Sequence, residues 1–343
     1  MRPIPADRWI DATPVAGGNP PLSSTQVTGW RERGHTFVGD LLPEELIASV
    51  TNSVPAAGSD ASERFTGFGS TLQFPSNLAG FNELTLHPAL LSAAAQLLDT
   101  TVTDLRLTQS TAWPKYGRRT RGGGRQDNQD QRIHVDYPNH TLVHPAEWAR
   151  PEAVEVIVYL GDVEHTGGPT AVVPRSGPDD PLYRWPIVDT PGVGELSYVN
   201  DRESAEAYLA EERPEIIEWR QRLYETERYV KFHAGDVLLY RHDTWHRGTP
   251  MKEGTLRLAH NLTYRRAEAE WISTLHPGWA WSAYRPDRFF ERLIATASLE
   301  QRAVLGFPQP GAAYWTPATI EAVEARHGPM GMDMTPYREA LKT

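Results

Sequence analysis

The chain has 343 residues and a formal net charge of -10, with 34 basic residues against 44 acidic ones. That balance argues against sequence-independent binding to nucleic acid and against an anionic membrane surface. Cysteine is absent, which removes disulfides, iron–sulfur clusters, thiolate zinc sites and cysteine nucleophiles, and fits a reducing compartment.

The N-terminal stretch "MRPIPADRWIDATPVAGG" has no apolar h-region, and no apolar run is long enough for a bilayer, so a soluble cytoplasmic protein is expected. A hydrophobic content of 39%, with 11 Trp, supplies a packed core. No repeat or linker divides the chain. The expectation is one domain over 1–343: a helical lead-in (1–101), a jelly-roll core (102–265) with a helical insertion (178–228), and a C-terminal extension (266–343).

In the lead-in, "PEELIASVTNSV" opens on Pro43 and two acidic residues and carries helical apolar spacing, and "HPALLSAAAQLLD" (87–99) predicts a second helix. From Val102 the pattern changes, to alternation in the first two of the following stretches and to a mostly apolar β-branched run in the third. "TVTDLRLTQSTAW", "QRIHVDY", "AVEVIVYLGDV", "GPTAVVP", "RYVKFHA", "DVLLYRH" and "TLRLAHNLTYRR" read as short strands punctuated by Gly, Pro and Asp. The predicted fold class is mainly β with flanking helices, a double-stranded β-helix (jelly roll, cupin-like). Within the insertion, "DRESAEAYLAEERPEIIEWRQRLYETE" predicts two helices, with Pro214 near the start of the second. It reads either as a segment packed outside the sheet or as a lid over the barrel mouth.

In "QRIHVDYPNH", His134 and Asp136 are two apart, so on a strand both point to one face. Chance alone supplies about half a His-x-Asp per chain of this composition, so the pair by itself decides nothing. A second stretch, "GDVLLYRHDTWHRGTP" (235–250), contributes His246, which a jelly roll could bring to the same mouth. Two histidines and one carboxylate on one face of a metal is the non-haem Fe(II) arrangement, which leaves positions open for oxygen and a co-substrate. On the next strand, alternation groups Arg257 with Ala259 and Asn261, the small and polar set expected to face the cavity. An Arg there can clamp a carboxylate through two parallel hydrogen bonds.

The order His-x-Asp, then "GGPTAVVP", then "GDVLLY" followed by His-x-Gly, then Arg, resembles the phytanoyl-CoA dioxygenase family. With "GWRERGHTFVGDLLPEELI" as its opening, the resemblance covers roughly residues 30 to 265. It implies an Fe(II)- and 2-oxoglutarate-dependent dioxygenase that uses O2 to hydroxylate or otherwise oxidise a small-molecule metabolite, releasing succinate and CO2. It carries the iron ligands onto His134, Asp136 and His246, and the 2-oxoglutarate arginine onto Arg257. Gln131, Thr170, Tyr159 and Ile157 fall where relatives contact or line the co-substrate pocket. The pattern departs from many relatives at "PRSG" (174–177), which lacks a histidine found there. Halogenating relatives replace the carboxylate by a small residue, and Asp136 retains it, so hydroxylation, desaturation or ring closure is favoured over chlorination.

Two rival classes remain. His242 and His246 form H-x-x-x-H, which a zinc hydrolase would use, but Asp243 stands where its helix needs Glu, and Gly and Pro follow. A metal-free jelly-roll binding protein would be expected to break the triad or lose the arginine. The Arg- and Gly-rich segment 115–130 reads as a solvated loop or as a contact for an acidic substrate group through Arg118, Arg119 and Arg121. Trp113, Tyr137, Tyr159 and Trp245 are candidates for an apolar pocket, although most aromatic residues serve the core.

Overall fold

The computed structural model describes residues 4–58, 72–74, 78–117, 130–136, 150–177, 179–183, 202–269, 289–304 and 307–342. Its strands are β1 (Trp9–Asp11), β2 (Thr13–Pro14), β3 (His35–Gly39), β4 (Leu72–Gln73), β5 (Leu105–Tyr116), β6 (Ala153–Tyr159), β7 (Thr170–Val172), β8 (Arg228–Lys231), β9 (Val237–Arg241), β10 (His246–Gly248) and β11 (Leu256–Arg266). They form two mixed sheets, a minor one in the order β1-β8-β7-β10 and a major one in the order β2-β3-β9-β6-β11-β5-β4. This is the expected jelly-roll architecture.

Alternation along the major sheet sets its two faces. Val154, Val156, Val158, Val237, Leu239, Leu258 and Leu262 bury one face in a core shared with Trp30, Ile47, Leu90 and Leu97. Those partners lie on the helices Ser24–Arg33, Glu44–Gly58 and Pro88–Leu98. The other face meets the minor sheet, where Phe37, Tyr159, Leu238 and Tyr240 pack against Val172, Val230 and Phe232. Each residue on a strand therefore goes either to the helix side or to the barrel interior, by parity alone.

The helices follow their sequence signals. Ser23 and Gln26 close a capping box at the start of the first, and Gly34 ends it in the left-handed region at φ 86°. The Gly34 carbonyl then accepts the Arg241 N–H and the Thr244 hydroxyl, and a Cβ at this position would lie 2.8 Å from Thr244 Oγ1. The lead-in is more than helical, because β1 joins the minor sheet while β2, β3 and β4 join the major one. "QRIHVDY" also differs from its prediction: it lies extended with one bridge, His134 to His246, and no continuous ladder among the described residues. At the C-terminal end, helices Phe289–Thr296, Leu299–Val304, Pro317–His327 and Thr335–Ala340 surround a core of their own. Ile294, Phe307, Trp315, Ile320, Val323 and Tyr337 fill it. Among the described residues, no helix is long and apolar enough to cross a membrane.

Burial makes this fold sensitive to acid. Desolvation pushes the His35 imidazole down to about 4 and that of His260 down to about 3, from an ordinary 6.5. His260 is enclosed by Phe81, stacked on it at 4.3 Å, and by the Ser110 hydroxyl at 2.9 Å. Both rings stay neutral in the folded chain while the unfolded chain takes up protons below pH 6.5, so stability falls as pH drops from about 6.5 toward 3. Urea midpoints between pH 7 and pH 4 are expected to decline steadily. His260→Gln should flatten that slope while lowering stability at neutral pH by about 1–3 kcal/mol.

Candidate metal centre

His134, Asp136 and His246 come together at the inner face of the minor sheet. Their ligand atoms lie within 4.8 Å of one another. The backbone holds the two histidines side by side: each donates its N–H to the other's carbonyl, at 3.0 and 2.8 Å. His134 Nε2 is 3.8 Å from Asp136 Oδ1, and His246 Nε2 is 3.3 Å from Asp136 Oδ2.

The side-chain protons are placed as a metal site requires. His134 Nδ1 sits 3.0 Å from the Arg132 carbonyl, and His246 Nδ1 sits 3.0 Å from the Thr244 carbonyl. A carbonyl can only accept, so Nδ1 carries a hydrogen in both rings, which leaves Nε2 as the atom turned toward the other ligands. Burial, and then the neighbouring His246, push the His134 imidazole down to about 3, so it is a neutral donor at physiological pH. Tyr240 donates its hydroxyl to Asp136 Oδ2 at 2.8 Å and orients the carboxylate. Two imidazole nitrogens and one carboxylate oxygen fit a divalent iron without saturating it.

The outer side of this segment is held by the insertion. Tyr224 accepts the Ile133 N–H through its hydroxyl at 2.9 Å, and Arg220 donates to the Ile133 carbonyl at 2.9 Å. Glu206 in turn accepts from Arg220 and from the Tyr224 hydroxyl. Burial would raise the Glu206 carboxyl, but Arg220, Tyr224 and Arg132 together hold it below its ordinary value. Both backbone groups of the residue before His134 are thus satisfied by side chains of helix Ile217–Thr226. The described part of the insertion packs on the outside of the minor sheet. There Trp219 meets Trp245 at 5.3 Å, beside Ile133, Val173 and Tyr183.

Trp245 therefore faces away from the cavity, because its neighbour His246 faces in. Tyr159 is also core, stacked on Phe232 at 4.1 Å. Tyr137 and Arg118, Arg119 and Arg121 lie outside the described residues, as does the Trp113 side chain.

Arg257 enters the barrel interior beside Tyr159, whose strand partner is Ala259. It is 5% exposed, donates from one terminal nitrogen to the Gly168 carbonyl, and leaves Nε without a hydrogen-bond partner among the described residues. A buried guanidinium with a free donor suits a carboxylate co-substrate. The Tyr159 hydroxyl donates to Thr170 Oγ1 at 2.8 Å, Gln131 Oε1 accepts the Gly248 N–H at 2.6 Å, and Ile157 is half-buried against the same interior core. Lys115 stands opposite Arg257 on β5, a second cation that alternation alone left unnoticed.

Gly248 allows this crowding. A Cβ there would lie 2.7 Å from Gln131 Oε1 and 3.1 Å from Lys115 Nζ. Gly248→Ala is expected to displace those flexible ends at a cost of about 1–3 kcal/mol in stability and to weaken 2-oxoglutarate binding roughly tenfold. Thermal melts and a co-substrate titration read the two effects separately.

The rival zinc pair does not form. His242 lies in the turn after β9 and His246 on β10, not on a helix. Asp243 is bound by Arg175 at 2.8 Å and Arg241 at 3.1 Å; although burial would raise it, those two guanidiniums hold it far below the usual carboxylate range and occupy its oxygens. Arg175, in the divergent "PRSG", also receives its place from the Arg33 carbonyl and lies over the Tyr183 ring at 3.8 Å. It thereby braces the turn that leads into His246.

A jelly roll enclosing two histidines, one carboxylate and a buried arginine is the arrangement of a non-haem iron, 2-oxoglutarate-dependent oxygenase. Residues 30–259, most of the chain, match the family model described as phytanoyl-CoA dioxygenase (PhyH), and the chain belongs to that family. No curated protein sequence matches the chain. Among solved structures it is similar to the epimerase SnoN, in a complex with Fe3+, alpha ketoglutarate and nogalamycin RO, at 18% identity over 72% of this chain and 84% of that one, with a TM-score of 0.48. It is also similar to the carbocyclase SnoK from nogalamycin biosynthesis (20% identity, 75% and 89% coverage, TM-score 0.46). EctD from S. alaskensis with bound Fe is a third (17%, 73% and 79%, 0.46).

Proposed function

We propose that the chain is an oxygenase that hydroxylates, or oxidises without halogenation, a small-molecule metabolite, with His134, Asp136 and His246 holding Fe(II) and Arg257 holding the far carboxylate of 2-oxoglutarate. The observation that carries this reading is the pair of Nδ1–H to carbonyl hydrogen bonds, which leaves both Nε2 atoms turned toward Asp136. When bound, iron with 2-oxoglutarate and O2 supplies an oxidant able to take hydrogen from a C–H bond, with succinate and CO2 as co-products. The side chains have other work. Tyr240 fixes the Asp136 carboxylate. Arg257, Tyr159, Thr170 and Gln131 orient the co-substrate at one end of the barrel, and the packed faces around them exclude water. Asp136 fills the place a halide would need.

Anaerobic addition of Fe(II) and then 2-oxoglutarate to the apo-protein is expected to develop the weak visible metal-to-ligand charge-transfer band. Tight zinc binding with no band and no response to 2-oxoglutarate would overturn the reading.

A further inference from the structure

The barrel interior contains one carboxylate for which the iron site has no use. Glu155 lies on β6 with Ile157 and Tyr159, the residues that face the interior, and is 4% exposed. Its Oε2 accepts the Thr263 hydroxyl, and its Oε1 has no hydrogen-bond partner among the described residues. No cation pairs with it there. Burial, and then the nearby Asp136, raise its carboxyl well above the ordinary range.

The groups around Glu155 form a surface of distinct character. Its strand partner on β9 is Tyr240, whose hydroxyl is committed to Asp136. Its partner on β11 is Thr263, and two residues along the same face is Asn261, whose Oδ1 is likewise buried and unpartnered. The cations of this face, Arg257 and Lys115, stand opposite each other farther along β11 and β5. At about 3.4 Å per residue, Arg257 is roughly 14 Å from Asn261. One end of the interior thus presents cations for a carboxylate. The other, beside Asp136, presents two buried acceptor atoms, Glu155 Oε1 and Asn261 Oδ1, without hydrogen-bond partners among the described residues.

We propose that Glu155 recognises the substrate by taking a protonated amine, with Asn261 Oδ1 as a second acceptor, beside the carbon to be oxidised. The proposal rests on the triad being the reaction centre. A bound metal meets the charge of Asp136, and Arg257 meets the distal carboxylate of the co-substrate, whereas Glu155 has no cation partner among the described residues. A hydroxyl would fill the free acceptor but not supply the charge, whereas an ammonium group does both, and a buried carboxylate is costly unless paired.

The test is calorimetric titration with paired primary amines and alcohols of equal length, linear and arylalkyl, against the metal-free protein and against the anaerobic Fe(II)–2-oxoglutarate form. At least one amine is expected to bind wild type about tenfold or more tightly than its alcohol. Glu155→Gln should erase that preference while the co-substrate titration is unchanged, and Asn261→Asp should steepen it. The proposal is overturned if alcohols match amines throughout, including the case where neither binds, or if the preference survives in Glu155→Gln. Should the glutamine variant fail to fold, an unchanged preference in Asn261→Asp overturns it instead. If wild type develops no charge-transfer band but keeps the amine preference, the iron reading fails and the recognition role of Glu155 stands.

Discussion

Replacing His246 by alanine is expected to abolish stable Fe(II) binding and with it the charge-transfer band. Removing an outer partner of a ligand costs about 10–100-fold in metal affinity, and loss of a ligand itself should exceed that. His246 is also the centre of the local geometry, since it exchanges both backbone hydrogen bonds with His134 and lies 3.3 Å from Asp136. Those backbone bonds survive in the alanine variant, so the fold should persist and metal content should fall. His242→Ala is the matched control. His242 is buried in the turn before β10 and is no member of the ligand cluster, so its loss should lower the melting temperature while leaving one iron per chain. Metal analysis after dialysis, beside thermal melts, separates the two outcomes. Equal iron in His246→Ala and wild type would remove His246 from the site.

Arg257→Lys is expected to weaken 2-oxoglutarate about 30-fold or more, raising its KM far more than it lowers kcat. The reason is geometric. The guanidinium already gives one nitrogen to the Gly168 carbonyl and holds Nε free, so a planar donor fork is in place before any ligand arrives. An ammonium offers no such fork. Burial lowers the Arg257 pKa somewhat, and the dry surroundings that cause this also strengthen its interaction with a carboxylate. An unchanged 2-oxoglutarate titration in Arg257→Lys would transfer the role to Lys115, its partner across β5 and β11.

Much of this molecule was legible in the chain itself. The 3.6 period set the helix at 88–98 and the start of the helix that runs from Glu44 to Gly58, whose last turn lies past the predicted "PEELIASVTNSV"; alternation set β5, a β-branched apolar run set β6, and the strand runs at β9 and β11 fell close to their observed ends. Parity alone put Arg257, Ala259 and Asn261 on one face of β11 and Leu258 on the other, as observed in the helix-side core. His-x-Asp and His-x-Gly are local motifs, and spacing of two along extended backbone is enough to aim their side chains. These features were readable because strand and helix periods are properties of consecutive residues.

Contacts between residues distant in the chain were decided by tertiary structure alone. Tyr240 reaches Asp136 across 104 residues, and Arg220 reaches the Ile133 carbonyl across 87. No local period encodes either pairing, so the orientation of the carboxylate and the support of the His134 segment were invisible in sequence. The same holds for Trp245, an aromatic beside a ligand that reads as pocket and packs outside. Glu155 is the sharpest case. In "AVEVIVYLGDV" nothing local singles it out from the apolar run around it. Only the closure of the second sheet makes its face of the strand an interior, strips the carboxyl of solvent, and leaves it without a cation partner among the described residues, beside the candidate ligand Asp136.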